Sequence, residues 1–274
     1  MKAVRSLGRW TGAVVATVAV AVLPATSAPR ETEPAGAATS ATPERLRAEV
    51  VGSYPHDPEA FTQGFELRGD ALYESTGRYG DSDVRVVDWE SGTVEHRVEL
   101  PDTAFGEGLT LVDDTVWQLT WREGTAFRRD AETLEETGRA SYDGEGWGLC
   151  YAEDAGHLVM SDGSDELTFR DPATFEALSS TSVTLDGEPL DNVNELECVD
   201  GAVWANVWQS DDIVRIDPAS GAVEAVVDAS GLLPESERED ADVLNGIAAL
   251  PDSDAFLLTG KLWPRSFLVE FVPE

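Results

Sequence analysis

Short apolar runs recur along the chain in groups of three, and each group opens on a small or polar turn. The opening runs are FTQGFEL (61–67), FGEGLT (105–110), GWGLCY (146–151), NELECV (194–199) and NGIAAL (245–250). Second and third runs follow within a few residues, as in TVWQLTW (115–121) and GTAFRRD (124–130). Four of the third runs end in Asp and a turn: DWESG (88–92), DAETL (130–134), DPATF (171–175) and DPASG (217–221). Several short strands in a unit that repeats every ~40–50 residues are typical of propeller blades.

The groups predict an all-β fold, namely a five-bladed β-propeller. The fifth group has only three runs before the chain ends, whereas LRAEVVGSY (46–54) forms a strand-like run ahead of the first group. We therefore expect 46–54 to supply the fourth strand of the last blade, which closes the ring and leaves no long open edge. The propeller domain then spans 46–274. The acidic segment SEREDAD (236–242), ahead of the last group, suggests a helical turn in a surface loop.

The N-terminal segment predicts secretion. Three cations (Lys2, Arg5, Arg9) precede an apolar run, 10–23, that is short for a membrane span, and small residues follow it up to position 28. This pattern is typical of a signal peptide over residues 1–28, with a retained N-terminal anchor as the alternative. Residues 29–45 are rich in Ala, Thr, Pro and Glu without periodicity and predict a disordered linker. We expect an extracellular protein, free of the membrane once the signal peptide is removed.

Charge excludes one class of partner. The formal net charge is −34, whereas nucleic-acid binding requires a basic surface. Only two lysines occur, Lys2 and Lys261, against seventeen arginines, so Lys261 stands apart in a chain that otherwise uses Arg. The three histidines are scattered and no zinc, Walker or GxSxG motif is present. From these residues we expect no cofactor and no zinc site.

The two cysteines leave two interpretations open. Cys150 and Cys198 lie on the first strands of neighbouring groups. If Leu149 and Leu196 occupy equivalent positions, opposite parity along those strands directs both side chains into the space between the two blades. An oxidising destination permits a disulfide. Two buried free thiols are the alternative.

Propeller topology predicts where a site can form. The first strand of a blade lines the central channel and the second runs antiparallel beside it, so first-strand starts and second-strand ends meet at one mouth. These positions bring together Phe61, Gln63, Phe105, Glu107, Trp121, Trp147, Asn194, Glu195, Trp208 and Lys261. Such convergent polar groups on an aromatic floor are typical of a ligand site. We assign Trp117 and Trp204 to the core between blades, and the glycines beside Glu107 suggest access to a ligand rather than packing.

Eight motifs, in this order, give the chain its resemblance to a known family. They are FTQGF (61–65), FGEGLT (105–110), QLTW (118–121), EGWGL (145–149), NELE (194–197), WANVW (204–208), NGIA (245–248) and GKLWP (260–264). Over about residues 50–272 the chain resembles the glutamine cyclotransferase family, the plant and bacterial type of glutaminyl-peptide cyclotransferase. The resemblance implies a five-bladed propeller that converts N-terminal glutamine to pyroglutamate with loss of ammonia and without a catalytic metal. Its substrates would be peptides or proteins with N-terminal glutamine, and we expect a monomer.

The resemblance also implies roles for single residues. Glu107 matches the family's catalytic glutamate. The residues matching the substrate pocket are Phe61, Gln63, Phe105, Trp121, Trp147, Asn194, Trp208 and Lys261. Gly106 departs from the family, in which some relatives carry a larger residue, and this suggests extra room beside the carboxylate. We expect Glu107 to act as general acid and base, and Lys261 to stabilise charge on the amide oxygen.

Two other functional classes compete with this interpretation. One is a non-catalytic propeller that binds peptide or sugar at an aromatic channel mouth. The other is a metal-dependent lactonase or lyase. The scattered histidines disfavour a His-based metal site, but Glu195 and asparagine leave open a Ca²⁺ site.

Overall fold

A computed structural model describes residues 42–274, and nearly all regular structure in this range is β-strand. The strands are β1 (Glu44–Pro55), β2 (Thr62–Arg68), β3 (Ala71–Thr76), β4 (Asp83–Asp88), β5 (Thr93–Glu99), β6 (Gly106–Val112), β7 (Thr115–Thr120), β8 (Thr125–Asp130), β9 (Glu136–Ser141), β10 (Leu149–Ala152), β11 (His157–Ser161), β12 (Glu166–Arg170), β13 (Ala177–Ser182), β14 (Thr184–Leu185), β15 (Glu188–Pro189), β16 (Val193–Val199), β17 (Ala202–Val207), β18 (Asp212–Ile216), β19 (Val223–Asp228), β20 (Leu244–Ala249), β21 (Ala255–Gly260) and β22 (Arg265–Pro273). The predicted signal peptide, and the linker as far as residue 41, lie outside the described residues.

The strands pair with their neighbours in sequence. β2–β5, β6–β9 and β10–β13 each form a four-stranded antiparallel sheet, and an eight-stranded sheet has the order β16-β17-β18-β19-β1-β22-β21-β20. The prediction of an all-β, propeller-like architecture is confirmed. The short hairpin β14–β15 was not predicted. The acidic loop before β20 contains one 3₁₀ turn, Glu235–Glu237, at the start of the predicted helical segment.

The N-terminal strand pairs as the sequence suggested and extends further. β1 runs antiparallel to β22 from Leu46 opposite Pro273 to Pro55 opposite Arg265. Its first four residues also pair in parallel with β19, which joins the two neighbouring sheets. The strand begins at Glu44, so the predicted linker boundary at residue 45 is two residues too late. The buried Leu46 anchors this end of the strand in the core formed with β19 and β21.

The repeated Asp-turns have a common physical basis. The side-chain Oδ1 of Asp88, Asp130, Asp171 and Asp217 accepts a backbone N–H two or three residues further on, at 2.8–3.1 Å. This local hydrogen bond stabilises the turn between the third and fourth strands of a sheet. The self-similarity of the sequence therefore reflects a repeated turn structure.

Aromatic side chains fill the space between neighbouring sheets. Trp117 and Trp204 are buried, as predicted. The Trp117 ring lies 5.0 Å from that of Phe175, and the Trp204 ring lies 5.2 Å from Phe256 and 5.0 Å from Phe271. Large aromatic contacts of this kind contribute strongly to burial. No helix within residues 42–274 has the length and apolarity to cross a bilayer.

The structure selects the disulfide from the two interpretations of the cysteines. Cys150 on β10 and Cys198 on β16 are bonded, with their Cα atoms 5.4 Å apart. The bond joins the innermost strands of two adjacent sheets, beside the buried core that those sheets share.

The closing strand yields a first testable prediction. A chain that begins at Pro55 lacks most of β1, so the backbone groups of β22 lose their partners and the core around Leu46 opens. We expect this chain to aggregate or to unfold at a much lower temperature than a chain that begins at Thr42. Size-exclusion chromatography and thermal unfolding measure the difference. Equal stability of the two chains would contradict the closing role of β1.

The disulfide yields a second prediction. The bond closes a loop with a sequence separation of 48 residues, which restricts the unfolded chain. We expect the double variant Cys150→Ala/Cys198→Ala to lose about 2–4 kcal/mol of unfolding free energy, measured by denaturant titration. Wild-type protein under reducing conditions serves as the control and should lose a similar amount. An unchanged denaturation midpoint in both samples would show that the bond does not stabilise the fold.

Candidate active site

Irregular pairing of the innermost strands (β2, β6, β10, β16 and β20) sets the positions of several buried polar residues. In four of these strands the antiparallel register shifts at the same place, near the strand start. The residues within the shifts are Gln63 on β2, Glu107 and Gly108 on β6, Asn194 and Glu195 on β16, and Asn245 and Gly246 on β20. A β-bulge redirects a side chain and releases backbone groups from the ladder. At each bulge the regular alternation of side chains between the two faces of the sheet is interrupted, and the side chains listed above take a different direction.

Close approach of neighbouring inner strands explains the glycines beside Glu107. The Gly108 N–H donates to the carbonyl oxygen of Trp147 at 2.7 Å, and a β-carbon on Gly108 would lie 2.6 Å from that oxygen. A β-carbon on Gly106 would lie 2.5 Å from the Thr76 carbonyl oxygen. The prediction that these glycines serve ligand access is wrong, because they permit packing between sheets. The extra room expected from Gly106 is likewise absent, because the Thr76 carbonyl oxygen occupies the space that a side chain at position 106 would need.

The ends of the second strands lie beside the starts of the first strands. The Trp121 N–H donates to the Phe105 carbonyl at 3.0 Å, and the Trp208 N–H donates to the Asn192 carbonyl at 2.8 Å. The Lys261 N–H donates to the Val243 carbonyl at 2.9 Å. Backbone hydrogen bonds thus hold the two sets of residues at one mouth of the ring.

One cavity of about 420 Å³ opens at this mouth. All nine residues assigned to the site by the sequence line it: Phe61, Gln63, Phe105, Glu107, Trp121, Trp147, Asn194, Trp208 and Lys261. The sequence reasoning missed Gln209, Asp242 and Val243, which also line the cavity. The last two lie at the end of the acidic loop, whose charge run the sequence indicated as an exposed surface segment and not as part of the site. That loop is joined to Lys261 by hydrogen bonds in both directions, from Asp242 N–H to Lys261 O and from Lys261 N–H to Val243 O.

Glu195, also predicted at the mouth, lies deeper in the ring. Its carboxylate accepts from the backbone N–H of Phe65 at 3.2 Å and of Ile247 at 2.8 Å. The carboxylate therefore links β16 to two other inner strands, β2 and β20. Burial raises the pKa of Glu195 well above its usual range, although these hydrogen bonds oppose the shift. The contacts assign Glu195 a structural role. Within residues 42–274, no group of three His, Cys, Asp or Glu side chains is arranged to hold a metal ion.

Two runs of aromatic contacts form the cavity wall. On one side, ring centroids of Phe61 and Phe105 lie 6.3 Å apart, and those of Phe105 and Trp121 lie 5.5 Å apart. On the other side, Trp147 and Trp208 meet edge to face at 5.5 Å. Such walls bind apolar methylenes and offer π-faces to cations. Lys261 already uses one of these faces, since its Nζ lies 5.0 Å from the Phe61 centroid.

Glu107 is a buried acid with few compensating contacts. It is only 4% exposed, and its Oε1 accepts one hydrogen bond, from Gln63 Nε2 at 3.1 Å. Burial raises the pKa of Glu107 well above its usual range. The positive charge of Lys261 opposes this shift, and the carboxylates of Glu145 and Glu123 add to it. Burial lowers the pKa of Lys261, against the attraction of Glu107 and Asp242. Ionisable groups whose pKa values are shifted in this way within a cavity are typical of a functional site.

Asn245 fixes the orientation of the Gln63 amide. Asn245 Nδ2 donates to the Thr62 carbonyl oxygen at 3.0 Å and faces Gln63 Oε1 at 3.4 Å. A backbone carbonyl only accepts, so the nitrogen of Asn245 must lie on this side. The oxygen of Gln63 consequently faces Asn245, and its NH₂ group faces Glu107. Asn245 was part of the NGIA motif but was not predicted as a site residue.

The fold and the cavity define an all-β, propeller-like protein with a buried acid and a lysine at the mouth of its ring. Comparison with known proteins gives the family: the glutamine cyclotransferase family model matches residues 15–271, so the chain belongs to this family. A glutaminyl-peptide cyclotransferase of Arabidopsis thaliana is 42% identical over 227 residues, which cover 81% of this chain and 70% of that protein. The crystal structure of Myxococcus xanthus glutaminyl cyclase superposes with a TM-score of 0.78 at 39% identity, covering 85% of this chain and 99% of that one. The resemblance inferred from the motifs is confirmed.

The buried acid yields a third prediction, on stability. Because the folded-state pKa of Glu107 is raised, the folded protein binds more protons than the unfolded chain above about pH 4, and stability falls as pH rises through that window. Glu107→Gln removes the titrating carboxyl, so the variant does not lose this stability as pH rises. We expect the variant to melt a few degrees higher than wild type at about pH 8, with little difference at about pH 4, on the scale of about 2–4 °C per kcal/mol. The exposed Glu132→Gln is the control, and an equal gain in both variants would contradict the assignment.

Proposed function

We propose that this protein is a glutaminyl-peptide cyclotransferase, an aminoacyltransferase that converts N-terminal glutamine of peptides and proteins to pyroglutamate with release of ammonia. The observation that carries the proposal is the buried Glu107 carboxyl beside Lys261, in a cavity walled by aromatic rings. Family membership and the names of the relatives from Arabidopsis and Myxococcus support the same reaction. No step of the proposed mechanism uses a metal or a cofactor.

The substrate supplies both reacting groups. Its α-amine nitrogen attacks the γ-carboxamide carbon, a C–N bond closes a five-membered lactam, and the original amide C–N bond breaks. Attack within one molecule already has a high effective concentration when the chain is folded back on itself. The cavity therefore has to select the folded rotamer of glutamine. Its aromatic walls suit this task, because Trp121 and Trp147 enclose the side-chain methylenes on either side.

Glu107 is proposed to move the proton that the reaction requires. An ammonium group cannot attack, and an amide anion is a poor leaving group. Glu107 as carboxylate accepts a proton from the α-amine and then delivers it to the departing nitrogen, which leaves as ammonia. The raised pKa of Glu107 brings it closer to the pKa of an α-amine, which is about 8. The Gln63 NH₂ group, held by Asn245, donates to the carboxylate form and keeps it oriented.

Lys261 is proposed to stabilise the negative charge that develops on the γ-oxygen. A donor fixed in a dry cavity is effective because it does not reorganise during the reaction. Lys261 is 5% exposed, and its backbone is held by hydrogen bonds to the acidic loop. Asn194 lines the same cavity, and its buried Oδ1 accepts no hydrogen bond within the described residues. Asn194 is a second polar group available to orient the substrate.

The proposal extends to the number of blades, the oligomeric state and the cellular location of the protein. We propose that the sheets form a five-bladed propeller, with β1 as the fourth strand of the last blade. The four-stranded sheets and the pairing of β1 with β22 support this count. We also propose that the protein is a monomer secreted by means of residues 1–28. The Cys150–Cys198 bond supports an oxidising compartment.

The direct test is incubation of the purified protein with a peptide that begins with glutamine. Mass spectrometry should detect loss of one ammonia molecule, and the product should lack a free α-amine. A peptide identical except for an N-terminal asparagine is the control, because its side chain is one methylene too short for a five-membered ring. An unchanged mass of the glutamine peptide at high enzyme concentration would overturn the proposal.

The fourth prediction concerns Glu107 and Lys261 together. Glu107→Gln keeps the size of the side chain but cannot transfer a proton, so we expect kcat to fall by roughly 10²–10⁴-fold. Lys261→Arg keeps the charge but replaces a compact ammonium by a wide planar fork, and we expect at least about a tenfold loss. The control is Arg265→Lys, an opposite exchange at an exposed pair with Glu237.

The double variant Glu107→Gln/Lys261→Arg shows whether the two residues act as one catalytic unit or as two independent groups. If Glu107 and Lys261 act together, their effects on kcat are less than additive. Near wild-type kcat for Glu107→Gln would overturn the mechanism. Near wild-type kcat for Lys261→Arg would reduce Lys261 to a generic positive charge.

A further inference from the structure

Glu145 joins the two halves of the aromatic wall. Its Oε2 accepts from Trp121 Nε1 at 2.7 Å and from Trp147 Nε1 at 3.0 Å. Trp121 ends the run through Phe105, whereas Trp147 begins the run with Trp208. One carboxylate oxygen thus fixes an indole from each of two adjacent sheets. Glu145 takes no part in the proposed mechanism.

The second oxygen of Glu145 completes a clamp on Trp121. Oε1 accepts from Arg122 Nε at 2.9 Å, and the Arg122 guanidinium lies 3.6 Å from the Trp121 ring centroid. A guanidinium on an indole face gains both stacking and cation–π attraction. Trp121 is therefore held on its N–H edge by Glu145 and on one face by Arg122. Its ring also contacts Phe105, another residue that lines the cavity.

Trp147 depends on the same carboxylate for its orientation. Its backbone N–H donates to the Ser161 carbonyl at 3.0 Å, and its six-membered ring packs against Gly163, where a β-carbon would lie 2.5 Å from Cζ2. These contacts place the residue and limit one side of the ring. The edge-to-face contact with Trp208 and the Nε1–H bond to Glu145 constrain the ring further, and of these only the bond fixes its N–H edge. Indole N–H groups that lie partly buried require an acceptor, and Glu145 supplies it for both tryptophans.

Glu145 carries out this role as an anion. Partial burial raises the pKa of Glu145, but the hydrogen bonds from Trp147, Arg122 and Trp121 outweigh it and lower the pKa below its usual range. Its negative charge also adds to the upward shift of the Glu107 pKa. Replacement of Glu145 therefore has two separable consequences. One depends on the acceptor atoms and the other on the charge.

We propose that Glu145 is a positioning residue for the cyclisation. It sets the angle and separation of the Trp121 and Trp147 indoles, so that the slot between them holds a glutamine side chain in its folded rotamer. Glu145 itself lies outside the cavity lining and acts through the two indoles. The inference rests on the proposed function for its substrate, although the clamp on the indoles exists without it.

The test compares Glu145→Gln with Glu145→Leu in the full chain. Glutamine keeps an oxygen for the indoles but lacks charge, whereas leucine lacks both. We expect KM for a glutamine-initiated peptide to rise about tenfold or more in Glu145→Leu and by less in Glu145→Gln, with smaller changes in kcat. The acid limb of the pH profile of kcat/KM should move to lower pH by a similar amount in both variants, because both lose the charge that raises the Glu107 pKa.

The matched control is Glu136→Gln. Glu136 accepts two hydrogen bonds from Arg139, whose guanidinium lies 5.1 Å from the Phe127 centroid. This is the same carboxylate–arginine–aromatic arrangement on an exposed strand that does not line the cavity. We expect wild-type KM and an unchanged pH profile. A change in KM as large as that of Glu145→Leu would show a non-specific charge effect and overturn the proposal.

A measurement that needs no substrate distinguishes failure of this proposal from failure of the proposed function. Near-ultraviolet circular dichroism reports the fixed environment of indoles, and we expect altered tryptophan bands in Glu145→Leu but not in Glu136→Gln. If wild-type protein leaves the peptide unchanged, the proposed function fails, and this spectrum still decides whether Glu145 holds the indoles. Wild-type bands in Glu145→Leu overturn the proposal. A lower melting temperature with wild-type KM and pH profile overturns it as well, because that result describes a purely structural contact.

Discussion

The close approach of the inner strands around the central axis is the constraint on which the rest of the structure depends. At Gly64, Gly108 and Gly148 a β-carbon would overlap the backbone of the next inner strand. Ordinary side chains do not fit at these points, so the strands use glycine and shift their register beside it. The bulges release Gln63 and Glu107 from regular pairing, and both side chains then face the cavity. The same glycines and register shifts therefore allow the inner strands to pack closely and direct the polar side chains into the cavity.

Desolvation gives these groups their chemical character. The surface of the chain is strongly acidic, with a formal net charge of −34. Glu107 behaves differently from that surface because it is buried, receives one side-chain hydrogen bond and lies near the ammonium of Lys261. Burial of both groups lowers the effective dielectric constant around them, which strengthens the interaction of the two charges. Glu145, half-exposed at the rim, remains an anion because three donors hold it.

Much of the architecture was predictable because it repeats. Alternating apolar runs and Asp-turns identify the four-stranded units, and 46–54 was correctly paired with the last of them. The nine predicted lining residues meet in one cavity. Antiparallel pairing places each first-strand start beside a second-strand end, and the arrangement of the inner strands around one axis brings these ends together. The interpretation of the glycines beside Glu107 was wrong. Glycine permits a close approach, but only the neighbouring strands show that the approach is to Thr76 and Trp147 rather than to a ligand.

The sequence by itself determined the strand units, the family and the candidate acid and lysine, because these depend on local periodicity and on motifs contiguous in the chain. The tertiary structure decided what depends on distant contacts. Asn245 orients Gln63 from 182 residues away, Cys150 bonds Cys198, and Glu145 holds indoles from two sheets. Burial also decided the pKa shift of Glu107, since a carboxyl titrates according to its surroundings and not its neighbours in sequence. Hydrogen-bond direction and desolvation are properties of the assembled ring.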